Sequence, residues 1–330
     1  MKITIFDPSL RNHQGQLSIN LGDVLIYEAV RETLQSIFPG AEFNRLSTHQ
    51  FPEEHHYRQI DASDLVFVGG TNLLSSDVRT YNQWKLNRDE DDHRSPRISD
   101  VILFGVGWWQ YQGLPTPDTK SYYEKILSRS SLHSVRDSYT KHRLSSMGIH
   151  NALNTSCPTL WKLHDLDTNR GGRERQHCLF TFTDYYRDPV ADTEMLEIIL
   201  RNYPGRIYYF PQGTEDVAYL HSLEIYGSHR EQITLLDHNV DALNEVIRDG
   251  DINYIGTRLH CGIKCLQNGI AAIIIAVDNR AAEIEKDVNL PVISRKELYR
   301  LQDWLDGKHL FDRIKLPLEA IKKWKRQFVN

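Results

Sequence analysis

Two short clusters in this sequence place an arginine beside a group that could manage a proton or a second contact. Gly256-Thr257-Arg258-Leu259-His260-Cys261-Gly262 follows the apolar run Ile252–Ile255 and leads into a helical pattern. A helix N-terminus there adds partial positive charge to that of Arg258. An anion so held would lie beside an imidazole able to give or take a proton near neutral pH. The competing reading is a structural histidine that caps the turn. Ser134-Val135-Arg136-Asp137 closes another apolar run, Leu132–Val135. A guanidinium at such a place suits bidentate binding of a carboxylate or phosphate. The plainer alternatives are an Arg136–Asp137 surface pair, or Asp137 as the N-cap of the next helix. Arg280, in Ala276-Val277-Asp278-Asn279-Arg280, is placed like a further anion contact, against the reading of a solvated surface arginine.

Two polar, glycine-bearing clusters complete the set. Asn20-Leu21-Gly22-Asp23 stands where a first helix begins, so its free N–H groups could meet an anion or hydroxyls, or Asn20 could simply cap the helix. Val68-Gly69-Gly70-Thr71-Asn72 ends an apolar strand, and paired glycines there permit positive φ and close approach, or an ordinary tight turn. There is no phosphate-binding G-x-x-x-x-G-K-[ST], no G-x-G-x-x-G after the first strand and no G-x-S-x-G elbow. Gly105-Val106-Gly107 is too short a match for a dinucleotide site. The fifteen histidines include the adjacent His55-His56 but no metal-ligand spacing on one helix face, so no metal is expected.

The elements that must carry these clusters are legible as alternation. Short, continuously apolar runs at Ile3–Phe6, Leu65–Val68, Val101–Phe104 and Leu132–Val135 form one series. Cys178–Phe182, Ile207–Phe210, Ile233–Leu236, Ile252–Ile255 and Ala272–Ala276 form a second. Such runs suit parallel strands covered on both faces. Amphipathic patterns lie between them. Ile26, Val30, Thr33 and Ile37 fall on one helical face, and others run over 138–147, 192–202, 214–226, 240–249 and 259–267. This predicts an α/β protein of two doubly wound, Rossmann-like domains, residues 1–165 and 166–315. The polar stretch Lys162–Gln176 is the expected seam, and the very polar Lys85–Arg97 an expected loop. The segment from Leu318 to Phe328 has helical spacing, with Lys322, Lys323, Lys325 and Arg326 opposite its apolar residues. Residues 316–330 are expected to pack back on the first domain, the alternative being a helix lying on an anionic membrane.

Composition narrows the classes. At 330 residues, 40% hydrophobic and 25% charged, the chain is globular. A net charge of −5 argues against a nucleic-acid partner. The N-terminus reads as a first strand rather than a secretory signal, and no stretch approaches the roughly 20 apolar residues of a membrane span. Four cysteines without C-x-x-C spacing fit reduced thiols and a cytoplasmic location.

In order and spacing, Asn20-Leu21-Gly22-Asp23, Gly69-Gly70, Ser134-Val135-Arg136-Asp137, Glu215-Asp216 after Phe210-Pro211-Gln212, and Gly256-Thr257-Arg258-Leu259-His260 resemble the polysaccharide pyruvyl transferase family. Asp278-Asn279-Arg280 is similar to its closing segment, with Arg280 where many members have lysine. The resemblance implies two Rossmann-like domains facing across a cleft, as in GT-B glycosyltransferases. It also implies phosphoenolpyruvate as the donor substrate, with no other cofactor, and a role in exopolysaccharide biosynthesis. Arg136 then corresponds to the family's donor-binding arginine, and Arg258 and His260 to its catalytic pair. The donor's carboxylate and phosphate call for an arginine clamp of Arg136, Arg258 and Arg280. Protonation of its C3 methylene calls for an acid, and His260 is the candidate beside the arginines. Asn20, Gly22, Asp23, Gly70 and Asn72 are the expected contacts for the acceptor, a glycan or lipid-linked sugar bound by the first domain. Two other readings use the same fold, a GT-B glycosyltransferase taking a nucleotide sugar and a non-catalytic carbohydrate-binding protein.

Overall fold

The computed structural model describes residues 1–86, 97–164, 175–308 and 311–329. Most of the polar segment Lys85–Arg97 and of the seam Lys162–Gln176 lies outside these residues. The chain divides into two compact units. The first comprises Met1–Ser18, Asp23–Trp161 and Leu316–Asn330, and the second Ile19–Gly22 and Lys162–Lys315. Among the described residues no helix is long and apolar enough to cross a membrane.

The first unit is built on β1 (Lys2–Asp7), α1 (Leu21–Ile37), β2 (Glu42–Ser47), α2 (Glu54–Asp61), β3 (Leu65–Gly69), β4 (Asn72–Leu74), β5 (Val101–Phe104) and β6 (Gly107–Trp108). Then follow α3 (Pro117–Ile126), β7 (His133–Val135), α4 (Ser138–Ser146) and β8 (Ala152–Asn154). Its parallel sheet has the order β2-β1-β3-β5. A Val106–Val135 bridge and the Gly105 N–H to Ser134 O bond carry β7 and β8 alongside β5. β1, β3 and β5 are buried along nearly their whole length, so β3 and β5 are continuously apolar and β1 is apolar at Ile3, Ile5 and Phe6. β2, Glu-Phe-Asn-Arg-Leu-Ser, lies at the sheet's edge and is only partly buried, so it lacks the apolar run that marks the others.

The second unit holds β9 (His177–Thr181), α5 (Pro189–Asn202), β10 (Ile207–Tyr209), α6 (Asp216–His221), α7 (Glu224–His229), β11 (Ile233–Leu235), α8 (Val240–Asp249) and β12 (Ile252–Gly256). α9 (Leu259–Gln267), β13 (Ala272–Ala276), α10 (Asn279–Val288), β14 (Val292–Ser294) and α11 (Tyr299–Leu305) complete it. All six strands are parallel, in the order β11-β10-β9-β12-β13-β14. Numbered within the unit this is 3-2-1-4-5-6, the dinucleotide-fold order, whose direction reverses between β9 and β12. The helix ends follow local chemistry. Asn239 accepts from Ala242 N at 2.8 Å to open α8, and Gly250, at φ +72°, closes it in the left-handed conformation. The 214–226 pattern is realised as two short helices, α6 and α7, broken at Ser222 and Leu223.

The last helix, α12 (Leu318–Arg326), belongs to the first unit. Trp324 is fully buried there, its ring 4.4 Å from that of Phe104 and 6.0 Å from that of Trp161. Gln327 ties the segment down through two bonds to the Leu132 backbone.

Candidate functional site

Ligands of open parallel sheets bind beyond the carboxyl ends of strands, where the strand order reverses. In the second unit that point lies between β9 and β12, and their end loops are bonded to each other. Thr257 N–H donates to Thr181 O at 3.1 Å, Arg258 N–H donates to Thr181 Oγ1 at 3.1 Å, and the Thr183 and Thr257 hydroxyls pair at 2.8 Å. Tyr254 Oη donates to Arg258 O at 2.8 Å from beneath. Arg258 thus occupies the N-cap position of α9, and His260 sits in its first turn, 4% exposed.

The Arg258 side chain is already engaged. Its Nε donates to Asp216 Oδ2 and to Phe182 O, and its Nη2 to Asp184 Oδ1 at 2.7 Å and to Asp216 Oδ1. Asp216, fully buried, also accepts from the backbone N–H groups of Gln212, Gly213 and Asp184. Burial by itself pushes the Asp216 carboxyl up and the Arg258 guanidinium down. Their pairing opposes both, yet burial still leaves the carboxyl above its ordinary value, while the guanidinium also finishes above its own. Five N–H donors aimed at one carboxylate leave its ionised form the one this loop is built around. Arg258 therefore faces two carboxylates, not an open anion pocket, and its geometry is that of a strut fixing the turn that carries His260. Sequence reading named Asp216 within a motif but assigned it no partner, and missed Asp184 altogether. The signal available was an acidic residue three positions after β9, in the loop at a strand's carboxyl end.

Arg280, the arginine standing where many members of the resembling family have lysine, is also paired. Its Nε and Nη2 meet Asp278, which caps α10, and its Nη2 reaches Tyr185 Oη. Tyr185 lies between the two arginines, its ring centroid 5.1 Å from Arg258 Cζ and 5.7 Å from Arg280 Cζ, while remaining 54% exposed. Asn20 and Gly22, expected on the first domain, belong to the second unit. Leu21 N–H bonds to Gln212 O at 2.9 Å, and Asn20 Oδ1 accepts from Gly22 N and from Gln212 Nε2. A β-carbon at 22 would lie 2.6 Å from Gln212 Nε2, so a larger residue there requires that side chain to shift.

The first unit holds the other cluster. Arg136, 1% exposed, follows β7, and its backbone N–H donates to Val106 O. Its Nη2 donates to Asn72 Oδ1 at 2.5 Å and its Nε to Asp137 Oδ2 at 3.4 Å, while its Nη1 is buried without a partner. Asp137 is also the N-cap of α4, accepting from Thr140 N at 2.7 Å, so the capping reading of that residue holds. Gly107 floors the guanidinium, because a β-carbon there would lie 2.2 Å from Arg136 Nη2. Asn72, expected among the acceptor contacts, is thus a partner of Arg136. Gly70 answers to packing: at φ +78°, an added β-carbon would lie 2.1 Å from Ile26 Cγ2 of α1. Asp23 is buried in the first turn of α1.

The sequence profile of the polysaccharide pyruvyl transferase family matches residues 20–279, a span that includes Arg136, Arg258 and His260. The chain belongs to that family. Search of curated proteins finds no match. Among solved structures, this family member is similar to the UDP-GlcNAc 2-epimerase of Methanocaldococcus jannaschii, at 9% identity and TM-score 0.56 over 100% of both chains. It is also similar to UDP-N-acetylglucosamine 2-epimerase from Rickettsia bellii, at 13% identity and TM-score 0.51, covering 99% of this chain and 95% of that one. At such identities the likeness is one of fold, that of two Rossmann-like domains.

Proposed function

We propose that this family member transfers the pyruvyl group of phosphoenolpyruvate to a pair of hydroxyls on one sugar of a polysaccharide or its precursor, forming a cyclic ketal. The observation that carries the reading is Arg136. A guanidinium buried to this degree with one Nη lacking a partner retains donors for an incoming carboxylate or phosphate. Arg258 and Arg280 would meet the donor only in competition with Asp184, Asp216 and Asp278, so their contribution is the smaller. His260 is the proposed acid. Its proton goes to C3 of the donor as a sugar hydroxyl attacks C2 and gives up its own proton. The second hydroxyl then replaces phosphate at C2. The acceptor gains one pyruvate less one water, and inorganic phosphate is released. No step needs a metal. A cytoplasmic site of action and a lipid-linked acceptor fit this reading.

The test is mass spectrometry of glycan acceptors incubated with phosphoenolpyruvate, in parallel with UDP-sugars. A mass gain of one pyruvate less water, matched by phosphate release, is the expected result. Transfer of a hexose from a UDP-sugar instead would replace the reading with glycosyl transfer. His260→Asn is expected to bind phosphoenolpyruvate and lose turnover by about 10²–10⁴-fold. Turnover at the wild-type rate would remove the histidine from the chemistry.

A further inference from the structure

Beside Arg136, the first unit presents a set of aromatic side chains that the scheme above does not use. Trp109 directly follows β6, two residues beyond the Gly107 that floors the guanidinium. Its indole stacks on the Tyr81 ring with centroids 3.8 Å apart and planes 6° from parallel, and both residues are only partly buried. Tyr81 is tied to the same cluster, its Oη donating at 3.2 Å to the carbonyl of Asn72, the residue whose side chain holds Arg136. Tyr111, 57% exposed, meets Tyr139 edge-on at 5.2 Å, and Leu114 beyond it is 80% exposed.

The backbone that displays these rings is fixed from both sides. Trp109 N–H donates to Leu74 O at 2.7 Å. Gln112 Oε1 accepts from Trp108 Nε1 at 2.9 Å and from Ser76 N at 2.8 Å, and Gln112 N–H donates to Tyr139 Oη at 2.9 Å. Between these anchors the exposed Gln110 is held at φ +53°, the left-handed region, without being glycine, asparagine or aspartate. A residue in this conformation between two aromatics, on a backbone held at both ends, suits a preformed recognition surface.

We propose that Trp109, Tyr81 and Tyr111 form a stacking platform for a pyranose ring, the acceptor subsite of the activity inferred above, on which the assignment to the acceptor rests. The C–H face of a pyranose is apolar and weakly positive, complementary to the negative face of an aromatic ring, and its equatorial hydroxyls reach outward to amides such as that of Gln110. The platform explains how acceptor recognition is achieved when Asn72 and Gly70, the expected contacts on this unit, are occupied by Arg136 and Ile26.

Saturation-transfer NMR of the full chain with methyl glycosides of glucose, galactose, mannose and N-acetylglucosamine tests this without the donor. A failure of pyruvyl transfer therefore leaves the result readable, and a failure here leaves the transfer reading untouched. The expected result is transfer to the ring C–H protons of at least one glycoside. Trp109→Ala should weaken that glycoside by about tenfold or more, the usual loss when an aromatic anchor is truncated, and Trp109→Phe should retain most of the affinity. Tyr111→Ala, at an exposed position, gives the same readout should Trp109→Ala fail to fold. Absence of transfer from all four glycosides, or wild-type affinity in the folded alanine variants, would overturn the platform.

Discussion

Replacing Asp216 with asparagine tests whether Arg258 is a strut. Five N–H groups converge on the two carboxylate oxygens, three on Oδ2 (from Gln212, Gly213 and Arg258 Nε) and two on Oδ1 (from Asp184 and Arg258 Nη2). An asparagine keeps one acceptor, and its amide takes the Oδ1 side, where it opposes fewer donors. Two bonds are then lost, an N–H is set against N–H groups, and a guanidinium 3% exposed keeps only Asp184 as counter-charge. Removing one partner of a buried pair costs about 3–5 kcal/mol. That is a large share of the roughly 5–15 kcal/mol that holds a domain folded. For a unit of this size it corresponds to a fall in Tm of roughly 6–20 °C. Urea unfolding followed by circular dichroism reads it directly. In the double variant Asp216→Asn with Arg258→Met the loss should be smaller than the sum of the two single losses, because the guanidinium is no longer left buried without its main partner. A loss under about 1 kcal/mol for Asp216→Asn, with no coupling in the double variant, would refute the strut and return Arg258 to the role of an open anion ligand.

Other outcomes follow from the same geometry. Asn72→Ala, or Gly107→Ala with its β-carbon crowding Arg136, should weaken phosphoenolpyruvate binding by roughly 10–100-fold in calorimetry, the worth of a lost or displaced charge-assisted contact; unchanged donor affinity in both would take Arg136 out of the site. His133 is fully buried, its Nδ1 accepting from Leu103 N and its Nε2 donating to Ser128 O, and burial lowers it to about 4. Its unfolded value lies near 6.5, so only the unfolded chain takes up a proton between these two values. Stability should therefore fall as the pH drops from about 6.5 to 4, by about 3 kcal/mol for this residue, and urea midpoints that do not move over that window would contradict it. Trp324→Ala should cost about 3–5 kcal/mol through the cavity left against Phe104 and Trp161. If the helix instead serves a membrane, the variant will melt like wild type and lose binding to anionic liposomes.

Much of the frame was legible because it is local. β5, β13, α8 and α9 lie where the apolar runs and helical spacing put them, and Arg136, Arg258 and His260 follow strand ends as read. Edge and polar elements were not legible. β2 has no continuous apolar run because only part of it is covered, and α2 and α3 are short and mostly polar, with only two or three apolar residues each to mark a buried face.

What the sequence determined by itself is the kind of protein: a doubly wound α/β chain of the pyruvyl transferase family, with arginines and a histidine at strand ends. What only the tertiary structure decided is which charges meet. Arg258 finds Asp216 across 42 residues and Asp184 across 74, Arg136 finds Asn72 across 64, and Asn20 joins Gln212 across 192. Each pairing depends on which strands become neighbours and which loops leave the same edge of a parallel sheet. Neither periodicity nor residue type encodes that order, because both describe a few consecutive residues, while a crossover connection brings together segments dozens of residues apart. The difference has chemical consequences. A free arginine at a strand end is an anion site, whereas the same arginine facing two carboxylates is a brace for the histidine beside it.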